Sequence, residues 1–245
     1  MSRQEKSNQT VVLLHGYGVR GSFWRYLNPV LAERFEKVHA PDLEMSSLDT
    51  MITSTKSYCS KLAHSSGQRL ILVGHSLGGV LAALVAQELG GDVVDRVVII
   101  AAPYGEHRMS RVGAAITRLL IRFRLIPDAL ARLRFFSDNS PAERQKALFA
   151  EAVPESKELQ TMLFAPVWFH TERIAGPLPV PSLVIASEFD KVVPSAQTLQ
   201  FAEVLRAQTR IFAAQEQVAH DDFAAAPAQI QQTADIVHSF AVESR

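Results

Sequence analysis

The chain has 245 residues, 47% of them apolar and 20% charged, enough for one large domain with a sizeable core and far from the composition that keeps chains disordered. Its 25 basic and 25 acidic residues cancel, which argues against a nucleic-acid binder. Cys59 is the single cysteine, so an intrachain disulfide, a Cys-rich zinc site and haem attachment are excluded; with a polar Met1–Thr10 and no run approaching the ~18 apolar residues of a membrane span, the expectation is a soluble, cytoplasmic protein.

Val11–Leu14 is a near-continuous apolar run, the pattern of a strand covered on both faces. Phe23–Phe35 reads as a helix, Glu36–Ala40 ahead of Pro41-Asp42 as a short strand, and Leu48–Ala63 as a second helix. Leu70–Val73 and Val97–Ala101 are further buried strands, with helix Leu77–Leu89 between them. From about Tyr104 to Leu178 apolar residues recur at helical spacing and no strand is evident. The prolines of Pro177-Leu-Pro-Val-Pro181 then stop a helix and return the chain to a strand at Leu183–Ala186. Helix Ser195–Ala207, a weaker strand at Ile211–Ala213 and helix Gln229–Val242 close the chain. Strand and helix alternate, so an α/β fold with a mostly parallel sheet of about six strands is expected, built from residues 1–103 and 179–245. Residues 104–178 are expected to form a helical cap over it.

The strongest chemical signal is Gly74-His75-Ser76-Leu77-Gly78, which follows one apolar run and opens a helix. This is G-x-S-x-G in the strand-turn-helix setting of a nucleophile elbow. Glycines at 74 and 78 let the turn approach its neighbours, and the turn lifts Ser76 Oγ to the positive end of the following helix. Glycines serving only helix-sheet packing would give the same letters.

A serine nucleophile needs a base to take its proton and an acid to orient that base. Asp190 and His220 each follow a predicted strand, at the sheet end where catalytic loops of open α/β sheets gather. Glu188 is a rival acid, and Asp190 could merely cap the next helix. His15 and His75 lie on the first loop and on the turn itself, poorly placed to act as the base. In Leu14-His15-Gly16-Tyr17-Gly18 the glycines let a loop turn its N–H groups toward the pocket, so Tyr17 N–H joins Leu77 N–H as a candidate oxyanion donor.

These residues resemble the α/β-hydrolase superfamily: the His15-Gly16 loop, the Gly74–Gly78 elbow, a helical cap, Asp190 and His220, in the chain order Ser, Asp, His. The chain looks most like small bacterial serine esterases and thioesterases. The resemblance implies an acyl-enzyme on Ser76, no metal and no organic cofactor. The sequence also departs from the family pattern. Pro41-Asp-Leu-Glu-Met-Ser-Ser47 has no glycine, Ser187 stands where a glycine often precedes the acid, and Ala219 where one usually precedes the histidine. Ser76 itself excludes the relatives that use an aspartate nucleophile.

The expected activity is hydrolysis of a carboxylic ester or thioester. A carbon-carbon bond hydrolase, a cofactor-free haloperoxidase or a non-catalytic binding protein on the same scaffold remain alternatives. Tyr104–Phe149 carries nine basic and four acidic residues, so the rest of the chain is acidic by the same excess. Arg111, Arg118 and Arg122 share one helical stripe beside Val112, Ile116, Leu119, Leu120 and Phe123. Three readings stay open for that stripe: a solvated face, a dock for an acidic acyl carrier or coenzyme A, or transient contact with an anionic membrane. Phe135, Phe136, Phe164, Trp168 and Phe169 could line an acyl pocket or pack the cap on the core.

Overall fold

The computed structural model describes residues 6–106, 113, 128–153, 155–163, 165, 168 and 170–243. The arginine stripe at 111, 118 and 122, its apolar neighbours, and Phe164 and Phe169 lie outside the described residues.

Six strands form one parallel sheet in the order β2-β1-β3-β4-β5-β6. They are β1 (Ser7–Leu14), β2 (Phe35–His39), β3 (Leu70–His75), β4 (Val94–Ile100), β5 (Ser182–Ser187) and β6 (Gln208–Phe212). The helices that alternate with them are α1 (Leu27–Ala32), α2 (Leu48–Ser66), α3 (Leu77–Val93), α7 (Ser195–Leu205), α8 (Asp222–Ala225) and α9 (Pro227–Val242). Between β4 and β5 the described residues hold α4 (Asp128–Phe135), α5 (Ala142–Ala150) and α6 (Lys157–Leu163), and no strand of the sheet.

The apolar runs look continuous because each strand feeds two cores. Val12, Leu14, Leu72 and Ile99 face one side with Leu81, Leu84 and Phe201, whereas Val11, Leu13, Val73 and Ile100 face the other with Trp24, Leu31, Ile230 and Phe240. Burial on both faces is what a parallel sheet sandwiched by helices requires.

Several expected elements differ in extent: the last strand, expected at Ile211–Ala213, is β6 at Gln208–Phe212, and two helices also change. The predicted helix Phe23–Phe35 is a 3-10 turn at Gly21–Trp24 followed by α1, and Phe35 already opens β2. Pro29 explains the break: a helix running through Arg25 would need the N–H that proline lacks, whereas in the first turn of α1 that N–H is dispensable. The predicted helix Leu77–Leu89 runs on to Val93, with Gly90 at φ 62° marking a kink. Elsewhere local chemistry fixes the ends. Ser47 caps α2 by accepting from Thr50 N–H, and Gly67 closes that helix in the left-handed conformation. No helix among the described residues is long and apolar enough to cross a membrane.

Candidate active site

Ser76 joins β3 to α3 with φ 54° and ψ −123°, a conformation L side chains rarely adopt. Its N–H still donates to Ile100 O at 2.8 Å, so the sheet holds the turn in place. The flanking glycines are steric necessities: a Cβ on Gly74 would lie 2.1 Å from Gly78 O, and one on Gly78 would lie 2.1 Å from Leu14 O. The β1 loop runs directly beside the serine, since a Cβ on Gly16 would come within 3.2 Å of Ser76 Cβ.

His220 and Asp190 meet across the ends of β5 and β6. His220 Nδ1 lies 2.7 Å from Asp190 Oδ2, so Nδ1–H donates to the carboxylate and the Nε2 lone pair is left for other work. Asp190 Oδ1 accepts from Val192 N–H and Val193 N–H at 2.8 and 2.9 Å, which fixes the carboxylate independently of the histidine. Glu188, the rival acid, accepts instead from Ala214 N–H. Burial disfavours the charged imidazole of His220, but the Asp190 charge and hydrogen bond, with the Asp221 charge, outweigh it and raise its pKa. Ser76 shares no hydrogen bond with His220 among the described residues, a link that often tightens only when substrate is bound.

Two further histidines, His15 and His75, act as struts. His15, fully buried, donates from Nδ1 to Gly16 O at 2.9 Å and accepts from Leu43 N–H at Nε2 at 3.0 Å. Burial lowers its pKa to about 4, so both bonds are made by the neutral ring. His75 Nε2 lies 2.8 Å from His220 O and must donate there. Its ring stacks on Phe23 at 5.0 Å, and burial holds its pKa well below the usual histidine range. His75, His220 and Asp221 bring one donor atom each to within 4.8 Å of one another. A cation there could not use His75 Nε2, because that nitrogen carries the donated proton.

Of the loop amides, Gly18 N–H is committed to Glu155 Oε1 at 3.1 Å, and Gly18 O accepts from Val153 N–H. Gly18 therefore supports the loop and is not itself a free donor. Leu77 opens α3, so its N–H has no helical acceptor, and Tyr17 sits one residue before the Gly18 anchor. Burial and the neighbouring Glu155 push the Tyr17 hydroxyl up to about 12, which keeps it neutral.

Three carboxylates that sequence reading did not single out support the site. Glu155, its side chain only 1% exposed, holds Gly18 and pairs with Arg20 at 3.0 Å. Asp222 is fully buried and accepts from Ser137 N–H and Oγ–H, Ser140 Oγ–H and Ala219 N–H, which ties the end of α4 to the residue before His220. Asp221 follows His220 directly and donates its own N–H to Phe135 O at 2.8 Å. The Asp-Asp pair after His220 was the only local hint; Glu155 lies 137 positions from the glycine it holds. Ser187 also finds its use here. Its hydroxyl donates to Val218 O at 2.6 Å, a bond between β5 and the histidine loop that glycine could not make. Of the aromatic residues, Phe135 places its ring 6.1 Å from that of His220, whereas Phe136 and Trp168 are buried in packing.

A model of the alpha/beta hydrolase family matches residues 11–230. The chain is similar to a pyrethroid hydrolase of Sphingobium wenxiniae, 27% identical over 255 residues, covering 91% of this chain and 90% of that protein. Among solved structures it is similar to a bromoperoxidase from Bacillus anthracis, with TM-score 0.76 and 19% identity over 96% of this chain and 93% of that one. An esterase from Exiguobacterium antarcticum gives TM-score 0.75 and 17% identity over 98% and 94%. A meta-cleavage product hydrolase from Pseudomonas fluorescens gives 0.62 and 23% over 96% and 91%. At these identities the structural likeness is one of fold.

Proposed function

The chain belongs to the alpha/beta hydrolase family, and from that premise we propose that it is a serine hydrolase of carboxylic esters or thioesters, with Ser76, His220 and Asp190 as its triad. In this reading His220 Nε2 takes the Ser76 proton as Oγ attacks the acyl carbon. The tetrahedral oxyanion is held by the N–H groups of Leu77 and Tyr17. Asp190 keeps Nδ1–H in place and stabilises the imidazolium. That imidazolium then protonates the departing alkoxide or thiolate, leaving an acyl-Ser76 ester. Water, deprotonated by the same His220, cleaves the ester and releases the acid. No step needs a cofactor. The stretch between β4 and β5 would serve as the cap over the acyl group, with Phe135 beside His220.

The observation that carries the reading is the backbone of Ser76, a non-glycine residue at φ 54° between β3 and α3. Such conformations cost roughly 1–3 kcal/mol and cluster at functional sites. The similarity to a pyrethroid hydrolase supports the ester class. The test is a panel of p-nitrophenyl esters and acyl-thioesters of graded chain length against wild type and Ser76→Ala, with fluorophosphonate labelling. Labelling at Ser76 and loss of turnover in the variant are expected; unchanged turnover in Ser76→Ala would sink the proposal. An acidic acyl carrier as the natural leaving group rests on the arginine stripe alone, and carrier-linked substrates belong in the same panel.

A further inference from the structure

Asp190 and Asp222 both spend their carboxylates on donors: the first on Val192, Val193 and His220, the second on Ser137, Ser140 and Ala219. Asp221 does not. Among the described residues its carboxylate accepts no hydrogen bond, and Oδ1 lies 3.9 Å from His75 Nε2 with the side chain 16% exposed. Its backbone is nonetheless fixed, because its N–H donates to Phe135 O. The carboxylate is thus held within 4.8 Å of ring nitrogens of both His75 and His220. His75 is neutral and already donates to His220 O, so among the described residues the cation Asp221 faces there is the His220 imidazolium.

We propose that Asp221 is a second carboxylate for His220, a positioning residue that acts through the imidazole by stabilising its charged form without touching substrate. The inference rests on the hydrolase reading for its catalytic meaning, though not for its electrostatics. The described groups around His220 have distinct parts: Asp190 on the β5 loop binds Nδ1–H, His75 from β3 braces the carbonyl, Phe135 from α4 lies to one side, Asp222 holds the loop, and Asp221, when ionised, supplies a charge bound to no donor among the described residues. Burial, with the charges of Asp190 and Asp222, pushes Asp221 up to about 7 against the opposing pull of His220. Asp221 raises His220 while His220 pulls Asp221 down, so the two titrations are coupled and an acid limb of activity would belong to the pair.

The sign follows from the direction of charge stabilisation. Asp221→Asn removes a charge that raises the His220 pKa, so the neutral base persists to lower pH, while the imidazolium formed in the transition state loses a counter-charge. The test is kcat/KM for p-nitrophenyl acetate against pH. The acid limb should move down by about one unit and the plateau fall by about tenfold in Asp221→Asn. Asp221→Glu should keep the limb near that of wild type. A lowered plateau with an unmoved limb is what a purely structural role gives, and it would overturn the proposal. The same holds if Asp221→Glu moves the limb as far as Asn does. Nitrogen-15 NMR of His220 reads the pairing without catalysis: its midpoint should fall in Asp221→Asn, and an unchanged midpoint refutes the pairing. Should that variant not fold, wild-type His220 should titrate in two coupled steps, and a single step refutes it. If Ser76 takes no fluorophosphonate, the hydrolase reading fails while these titrations still decide the role of Asp221.

Discussion

Replacing Asp222 with Asn should cost stability out of proportion to the size of the change. Its two oxygens share four donors: Oδ1 accepts from Ser137 N–H and Ser140 Oγ–H, and Oδ2 from Ser137 Oγ–H and Ala219 N–H. Asn keeps one acceptor and turns the other into a donor. The serine hydroxyls can rotate and accept from the new amide, but a backbone N–H cannot. Whichever way the amide flips, Ser137 N–H or Ala219 N–H is left facing a donor in a site with no exposure. One orphaned buried amide costs about 1–3 kcal/mol, and the loss of charge assistance in the surviving bonds adds to it. Relief of repulsion with Asp221 offsets a part, so the net loss should be about 2–3 kcal/mol. Urea denaturation followed by the fluorescence of Trp24 and Trp168 measures it, and the thermal midpoint should fall by roughly 4–12 °C for a chain of this size. Asp222→Ala, which orphans both amides, should be worse. An Asp222→Asn protein within about 0.5 kcal/mol of wild type, a spread ordinary surface substitutions reach, would refute this account.

Glu155→Ala should release the Gly18 amide and the Arg20 pairing, loosen the loop proposed to hold the oxyanion, and lower kcat by about tenfold with little change in KM; an unchanged kcat on p-nitrophenyl acetate would show that the anchor is dispensable. Gly78→Ala drives a Cβ into Leu14 O at 2.1 Å, so it should yield little folded protein by circular dichroism, and a native-like melt would contradict the packing. His15 and His170 are both buried neutral with pKa near 4. The unfolded chain takes up these protons near pH 6.5, before the fold can, so their contribution is complete above that value and is lost as pH falls toward 4. The full loss is roughly 3 kcal/mol for each ring, and flat urea midpoints between pH 7 and 4.5 would contradict it.

The sheet was legible because burial on both faces leaves unmistakable apolar runs, and the elbow because Gly74 and Gly78 are demanded by close contacts, with the next turn for Gly74 and with the end of β1 for Gly78. Ser76, Asp190 and His220 could be singled out because each follows a strand, in a chain order that resembles the family's. Helix extents were less readable: Pro29 splits the first helix through a hydrogen bond it fails to make, which periodicity does not register. The carboxylates behind the site were hidden for a different reason. Nothing in the letters of Asp221 and Asp222 says that one is spent on four donors and the other on none, and Glu155 meets Gly18 only through the fold. The serine in place of glycine at 187 reads as a departure from pattern until Val218 O is seen beside it.

Glu155 and Asp222 also bear on how such an enzyme could be remodelled. The stretch between β4 and β5 would be the natural cassette to exchange when altering substrate range. Here it carries the only described acceptor for Gly18 N–H and three of the four donors to Asp222. A transplanted cassette lacking counterparts of Glu155, Ser137 and Ser140 would strand a charge beneath His220 and untether the loop beside Ser76. These five positions, Gly18, Ser137, Ser140, Glu155 and Asp222, should therefore be inherited or swapped as a set.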